Sequence, residues 1–149
     1  TQPGAVLGTL LYMSPEQAKG EGTLTAATDI FALGCTLYKI LTGRAPYTGD
    51  NARETLTKAR YGTYQPPQSL KSDVPAPLAA ICSMAMEVNP EDRYFTAIEL
   101  AYDLERFLAG GTVVAYSENV FERFRSLVAD VSCIGSVAGV DSTAHSGIP

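Results

Sequence analysis

Residues 28–43 read TDIFALGCTLYKILTG, and this stretch decides the fold. Ile30, Phe31, Leu33, Leu37, Tyr38, Ile40 and Leu41 fall on nearly every side of a helix with 3.6 residues per turn. A helix that is apolar all round is a buried one. Gly43 offers the left-handed stop at its end. Gly34, inside the helix, costs about 1 kcal/mol against alanine, which a close backbone crossing would explain. The stretch therefore predicts a mainly α domain built around a buried central helix from Thr28 to Thr42.

Helix punctuation continues on both sides. Ser14-Pro15-Glu16-Gln17 is a capping box with proline at the first helical position, and Gly20 follows soon after, so a short helix is expected over 15–19. Asp50 is the expected cap of a polar, peripheral helix reaching Arg60, with Gly62 as its stop. Tyr64 to Pro77 carries four prolines and reads as an extended loop. Leu78, Ile81, Cys82 and Ala85 share one helical face, and Asn89-Pro90 is the expected end of that helix. Thr96-Ala97-Ile98-Glu99 is a second capping box. It opens a helix with Ala97, Leu100, Ala101, Leu104, Phe107 and Leu108 along one stripe, closed by Gly110-Gly111.

Composition changes at that glycine pair. Residues 1–110 form one expected domain, and 111–149 a tail. Thr112 to Tyr116 is read as extended, and a helix capped by Ser117 is expected over 117–129, with Val120, Phe121, Phe124, Leu127 and Val128 as its apolar face. Packing, a linker role and a membrane or partner surface all stay open for that helix.

Charge and cysteine usage exclude several classes. The 149 residues carry a net charge of −5, which argues against nucleic acid as the main partner. Cys35, Cys82 and Cys133 form no CxxC, so free thiols in a reducing compartment fit better than a disulfide framework. The single histidine, His145, is too little for a zinc site. No secretory signal is read at the start, and no apolar run reaches the roughly 18 residues of a membrane span.

Four motifs in order then carry a resemblance: Gly8-Thr9-x-x-Tyr12-Met13-Ser14-Pro15-Glu16, Asp29-Ile30-Phe31-Ala32-Leu33-Gly34, Leu41-Thr42-Gly43-Arg44-Ala45-Pro46-Tyr47 and Asn89-Pro90-Glu91-Asp92-Arg93. Together they resemble the C-terminal lobe of eukaryotic-type (Hanks-type) serine/threonine protein kinases of the bacterial kind, from the end of the activation segment to the last helix. Of the kinase signatures only Ser14-Pro15-Glu16 is present. The Gly-rich loop, the nucleotide lysine, His-Arg-Asp and Asp-Phe-Gly are missing from these residues.

The resemblance implies a set of roles. Glu16 and Arg93 would form the ion pair that ties the end of the activation segment to the loop before the last helix; on the residues alone they read as separate surface charges. Asp29 would hold the backbone of the catalytic loop. Gly8, Thr9, Tyr12 and Met13 would form the substrate-side loop, with Thr9 touching catalytic groups and marking serine/threonine specificity. Thr1 stands where an activating phosphothreonine often lies. The intact parent would use ATP and Mg²⁺ to phosphorylate Ser or Thr on a protein substrate, while this segment alone, binding neither, is expected to be inactive. Its partners would be that substrate and the missing N-terminal part of the same kinase. The kinase part would be cytoplasmic, with room for a membrane anchor after the tail. The alternative is a pseudokinase or a helical docking module; an intact His-Arg-Asp and Asp-Phe-Gly upstream would favour the active enzyme over the pseudokinase.

Overall fold

The computed structural model describes residue 8, residues 10–20 and residues 24–117. Thr1, Thr9, Cys133, His145 and all but the first residue of the expected 117–129 helix lie outside the described residues. Among the described residues the elements are α1 (Pro15–Lys19), α2 (Ala26–Thr42), α3 (Ala52–Tyr61), α4 (Pro67–Leu70), α5 (Ala76–Ala85), a 3₁₀ turn (Pro90–Asp92) and α6 (Ala97–Leu108). They include no strand, and a further helical turn opens at 114–117.

Local chemistry explains each boundary. In α1 the Gln17 amide donates to Ser14 Oγ at 3.4 Å, and the Ser14 amide donates back to Gln17 Oε1 at 3.0 Å. Helix α2 starts two residues before the expected Thr28. The Thr25 amide donates to Thr28 Oγ1 at 3.3 Å, so Thr28 serves the first turn from inside it. At its other end Gly43 takes a φ of 78°, and Lys39 Nζ donates to the Gly43 carbonyl at 2.7 Å, a cation on the negative helix end.

Four expectations are corrected. Asn51, not Asp50, caps α3: its Oδ1 accepts from the Glu54 amide at 2.9 Å, and the Asp50 amide donates to Glu54 Oε2. The proline-rich stretch contains helix α4, and α5 already starts at Ala76, because Pro67 and Pro77 sit in first turns, where no intrahelical amide bond is lost. Helix α5 ends at Ala85, and Asn89 instead caps the 3₁₀ turn. Residues 112–116 are not an extended run: helical backbone begins at Val114, so Ser117 lies within that turn, its Oγ donating to the Val114 carbonyl at 2.8 Å.

Two apolar clusters meet on α2. Phe31, Cys35 and Tyr38 join Tyr47, Cys82 and Met86 in one, with Tyr12 and Met13 packed against it. Ile30 joins Ile81, Ala85, Tyr94 and Leu100 in the other, together with Val113 and Ala115, so packing continues past Gly111. Helix α2 touches α5 through Gly34. A Cβ there would come within 2.7 Å of Met86 Cγ and 2.9 Å of the Ala85 Cβ, so the crossing requires glycine.

The central helix is not covered all round. Leu33 is 44% and Ile40 72% exposed, on the side that also carries Asp29, Ala32 and Thr36. The described residues cover the 30–31–34–35–38 side only, which is why the all-round apolar pattern overstates the burial. The α6 stripe is also narrower than expected: Leu100 is buried and Leu104 and Phe107 partly so, while Ala97, Ala101 and Leu108 face solvent.

Candidate functional site: an arginine clamp

Arg93 follows the 3₁₀ turn in extended conformation, and its side chain turns into the protein and is fully buried. A guanidinium has five N–H donors in a rigid plane, and inside a protein each needs an acceptor. All five are used. Nη1 donates to Glu16 Oε1 and to the Ala27 carbonyl, both at 2.8 Å. Nη2 donates to Glu16 Oε2 at 2.8 Å and to the Val88 carbonyl at 3.3 Å. Nε donates to the Glu87 carbonyl at 2.8 Å. The guanidinium carbon also lies 4.8 Å from the centre of the Phe31 ring, a cation–π contact.

The acceptors come from three elements that sequence separates widely. Glu16 is in the first turn of α1, presented by the Ser14 cap and Pro15. Ala27 is in the first turn of α2, and Glu87 and Val88 follow α5. Thr28 Oγ1 adds a hydrogen bond to Glu16 Oε1 at 3.2 Å. Burial alone would raise the Glu16 pKa, but hydrogen bonds from Arg93, Ser14 and its own backbone, together with the Arg93 charge, bring it from 4.5 down to about 2. Near neutral pH the carboxylate is therefore ionised, and the pair acts as a fixed two-pronged link rather than a proton donor. Arg60 Nε, donating to the Ala18 carbonyl at 2.8 Å, adds a second tie from α3 to α1.

Of the other candidates, Asp29 lies exposed in the first turn of α2, and its carboxylate has no hydrogen-bond partner among the described residues. Gly8 is exposed, and Tyr12 and Met13 are half-buried against the first cluster. Thr1 and Thr9 lie outside the described residues. The structure thus brings Glu16 and Arg93 together and leaves Asp29 out of the clamp. Cys35 and Cys82 are buried free thiols. Burial pushes Cys82 up to about 12 and Cys35 well above the ordinary thiol range, so neither is a nucleophile. Sequence reasoning missed Asp103, a buried carboxylate on α6. Its place among Leu100, Leu104 and Phe107 on the inward face was the available signal.

The motif order and the clamp define a protein-kinase helical lobe, and the comparisons agree. The protein kinase domain family matches residues 2–102, and the chain belongs to that family. It is similar to the serine/threonine-protein kinase PknB of Mycolicibacterium smegmatis, 43% identical over 110 residues, which are 74% of this chain and 17% of that protein. It is also similar to the probable serine/threonine-protein kinase PknB of Bifidobacterium longum, 39% identical over 119 residues, 80% of this chain and 17% of the relative. The tyrosine-protein kinase MasK of Myxococcus xanthus is 43% identical over 109 residues, 73% of this chain and 17% of its own length. Among solved structures, the twitchin kinase region from C. elegans superposes with a TM-score of 0.54 at 26% identity, covering 58% of this chain and 15% of that one. The chain thus spans about a sixth of the length of these curated relatives.

Proposed function

We propose that this chain is the substrate-side helical lobe of a bacterial serine/threonine protein kinase. In the full-length protein the γ-phosphoryl group of ATP would pass to a Ser or Thr hydroxyl of a protein substrate. The observation that carries the reading is the Glu16–Arg93 clamp, set within four kinase motifs in order. A bidentate guanidinium–carboxylate pair that also takes three backbone carbonyls positions backbone rather than performing chemistry. In phosphoryl transfer most of the catalytic work is positioning and charge stabilisation, so a rigid platform is a meaningful share of the task.

Nucleotide and Mg²⁺ binding would belong to the kinase signatures that these residues lack. The Gly-rich loop and the lysine are missing from the sequence, and no three metal-ligating side chains converge among the described residues. ATP and Mg²⁺ would be held by sequence upstream of Thr1, which would also cover the exposed Leu33–Ile40 side of α2. In that assembly Gly8, Thr9, Tyr12 and Met13 would line the substrate, Asp29 would hold the catalytic-loop backbone, and Thr1 would be a phosphorylation site. Residues 1–110 would form the kinase part, on the cytoplasmic side of a parent anchored in a membrane after residues 111–149. Free Cys35 and Cys82 fit a reducing compartment.

The test is phosphate transfer by the full-length protein with Mg²⁺-ATP and a generic basic protein substrate, read by phosphoamino-acid analysis. Phosphoserine or phosphothreonine supports the proposal. Phosphotyrosine overturns the acceptor class. A folded full-length protein that binds no nucleotide and transfers nothing supports the pseudokinase alternative instead.

A further inference from the structure

Asp103 is 1% exposed, yet its carboxylate accepts four hydrogen bonds. Oδ2 accepts from the Tyr94 hydroxyl at 2.9 Å and the Ala115 amide at 3.0 Å. Oδ1 accepts from the Val114 amide and from Arg106 Nη1, both at 2.9 Å. Two of the donors are consecutive backbone amides at the start of the helical turn that opens at 114, where Ser117 N donates to the Val113 carbonyl at 3.1 Å. The first amides of a helix have no acceptor within it. An ordinary cap would come from the preceding residue, but here that is Val113, which has no acceptor side chain. Asp103 supplies the cap from one helix earlier. The four hydrogen bonds outweigh the cost of burial and hold its pKa below the ordinary aspartate range.

Packing reinforces the seat. Val113 is 2% and Ala115 1% exposed, both within the cluster that contains Ile30, Ile81 and Leu100, while Val114 and Tyr116 point outward. Gly110, with a φ of 71°, turns the chain back so that this segment can reach α6. We propose that residues 112–117 are a strap whose fastening point is the Asp103 carboxylate, and that the strap opens as a unit separate from α2. Opening the strap breaks the Asp103 hydrogen bonds to the Val114 and Ala115 amides and lifts Val113 and Ala115 out of the core, while α6 keeps its own backbone bonds.

Hydrogen exchange on the full-length protein tests this. In Asp103→Asn, the Val114 and Ala115 amides are expected to exchange at least about tenfold faster, while α2 amides around Phe31 and Cys35 keep their protection. Unchanged exchange at 114 and 115 would overturn the proposal, as would an equal loss of protection across α2. Val114→Pro is the second variant, for the case that Asp103→Asn does not fold. Proline suits the first helical position and removes only the amide that Oδ1 accepts. It is expected to raise exchange at Ala115 and at Ser117 with α2 protected, and no change at either amide counts against the strap.

Discussion

Arg93 reaches across 77 residues of sequence to grip both oxygens of Glu16, each at 2.8 Å, with its own side chain fully buried. The same guanidinium takes carbonyls from α2 and from the segment after α5. One side chain therefore joins α1, α2 and the α5–α6 connection, and removing it leaves several polar groups without partners at once.

That geometry makes stability depend on acid. The folded pKa of Glu16 is about 2, below its ordinary 4.5. A depressed carboxylate contributes stability that is present in full above its unfolded pKa and is lost as pH falls through the folded one. The window is therefore from about 4.5 down to about 2, and the contribution is on the order of 3 kcal/mol. Denaturant midpoints of the full-length protein across that window should fall for the wild type more steeply than for Glu16→Gln. Parallel curves would show that the carboxylate contributes nothing.

Gly34→Ala should destabilise by about 1–3 kcal/mol, although alanine is the better helix former by about 1 kcal/mol. The new methyl would meet the Ala85 Cβ at 2.9 Å and the Ala85 backbone carbon at 3.2 Å, and neither can swing aside. Denaturant unfolding measures it, and a gain in stability would mean that α2 and α5 do not cross here.

Tyr47→Phe should stabilise by about 1 kcal/mol. Tyr47 is fully buried and stacks on Phe31 with ring centres 6.4 Å apart, but its hydroxyl has no partner among the described residues. Burial pushes that hydroxyl far above the ordinary phenol range. Phenylalanine keeps the ring and drops the desolvated oxygen. A lower melting temperature in the variant would reveal a hydrogen bond that the described residues do not supply.

The isolated 149-residue chain should self-associate through the open side of α2, where Leu33 and Ile40 are exposed. Sedimentation should show Leu33→Glu with Ile40→Lys shifting it toward monomer. A monomeric wild-type chain with a sharp cooperative unfolding transition would contradict this.

Much of this was legible in the residues. Capping boxes at Ser14 and Thr96 and the glycine stop at Gly43 are local chemistry, and local chemistry is written in consecutive residues. Gly34 announced a close crossing by its cost alone. For proline, position matters more than presence: Pro67 and Pro77 sit in the first turns of helices inside a stretch whose proline content predicts a loop. The burial of α2 was overstated because periodicity reports what a helix can bury, not which neighbours are there to cover it. For the site, motif order pointed to Glu16 and Arg93. The three carbonyls, the Thr28 hydroxyl and the Phe31 ring around them depend on folded backbone, and no spacing encodes them. The role of Asp103 is not written in its spacing, because it depends on amides that the next segment brings to it only in the folded chain.

The most direct test of the clamp is a double-mutant cycle in the full-length protein with Glu16→Ala, Arg93→Ala and both together, read by denaturant unfolding of the kinase domain. Each single change should cost roughly 3–5 kcal/mol, and the double change little more than either, giving a coupling of at least about 2 kcal/mol. Single costs that simply add, to within about 0.5 kcal/mol, would contradict a lobe held together by Glu16 and Arg93.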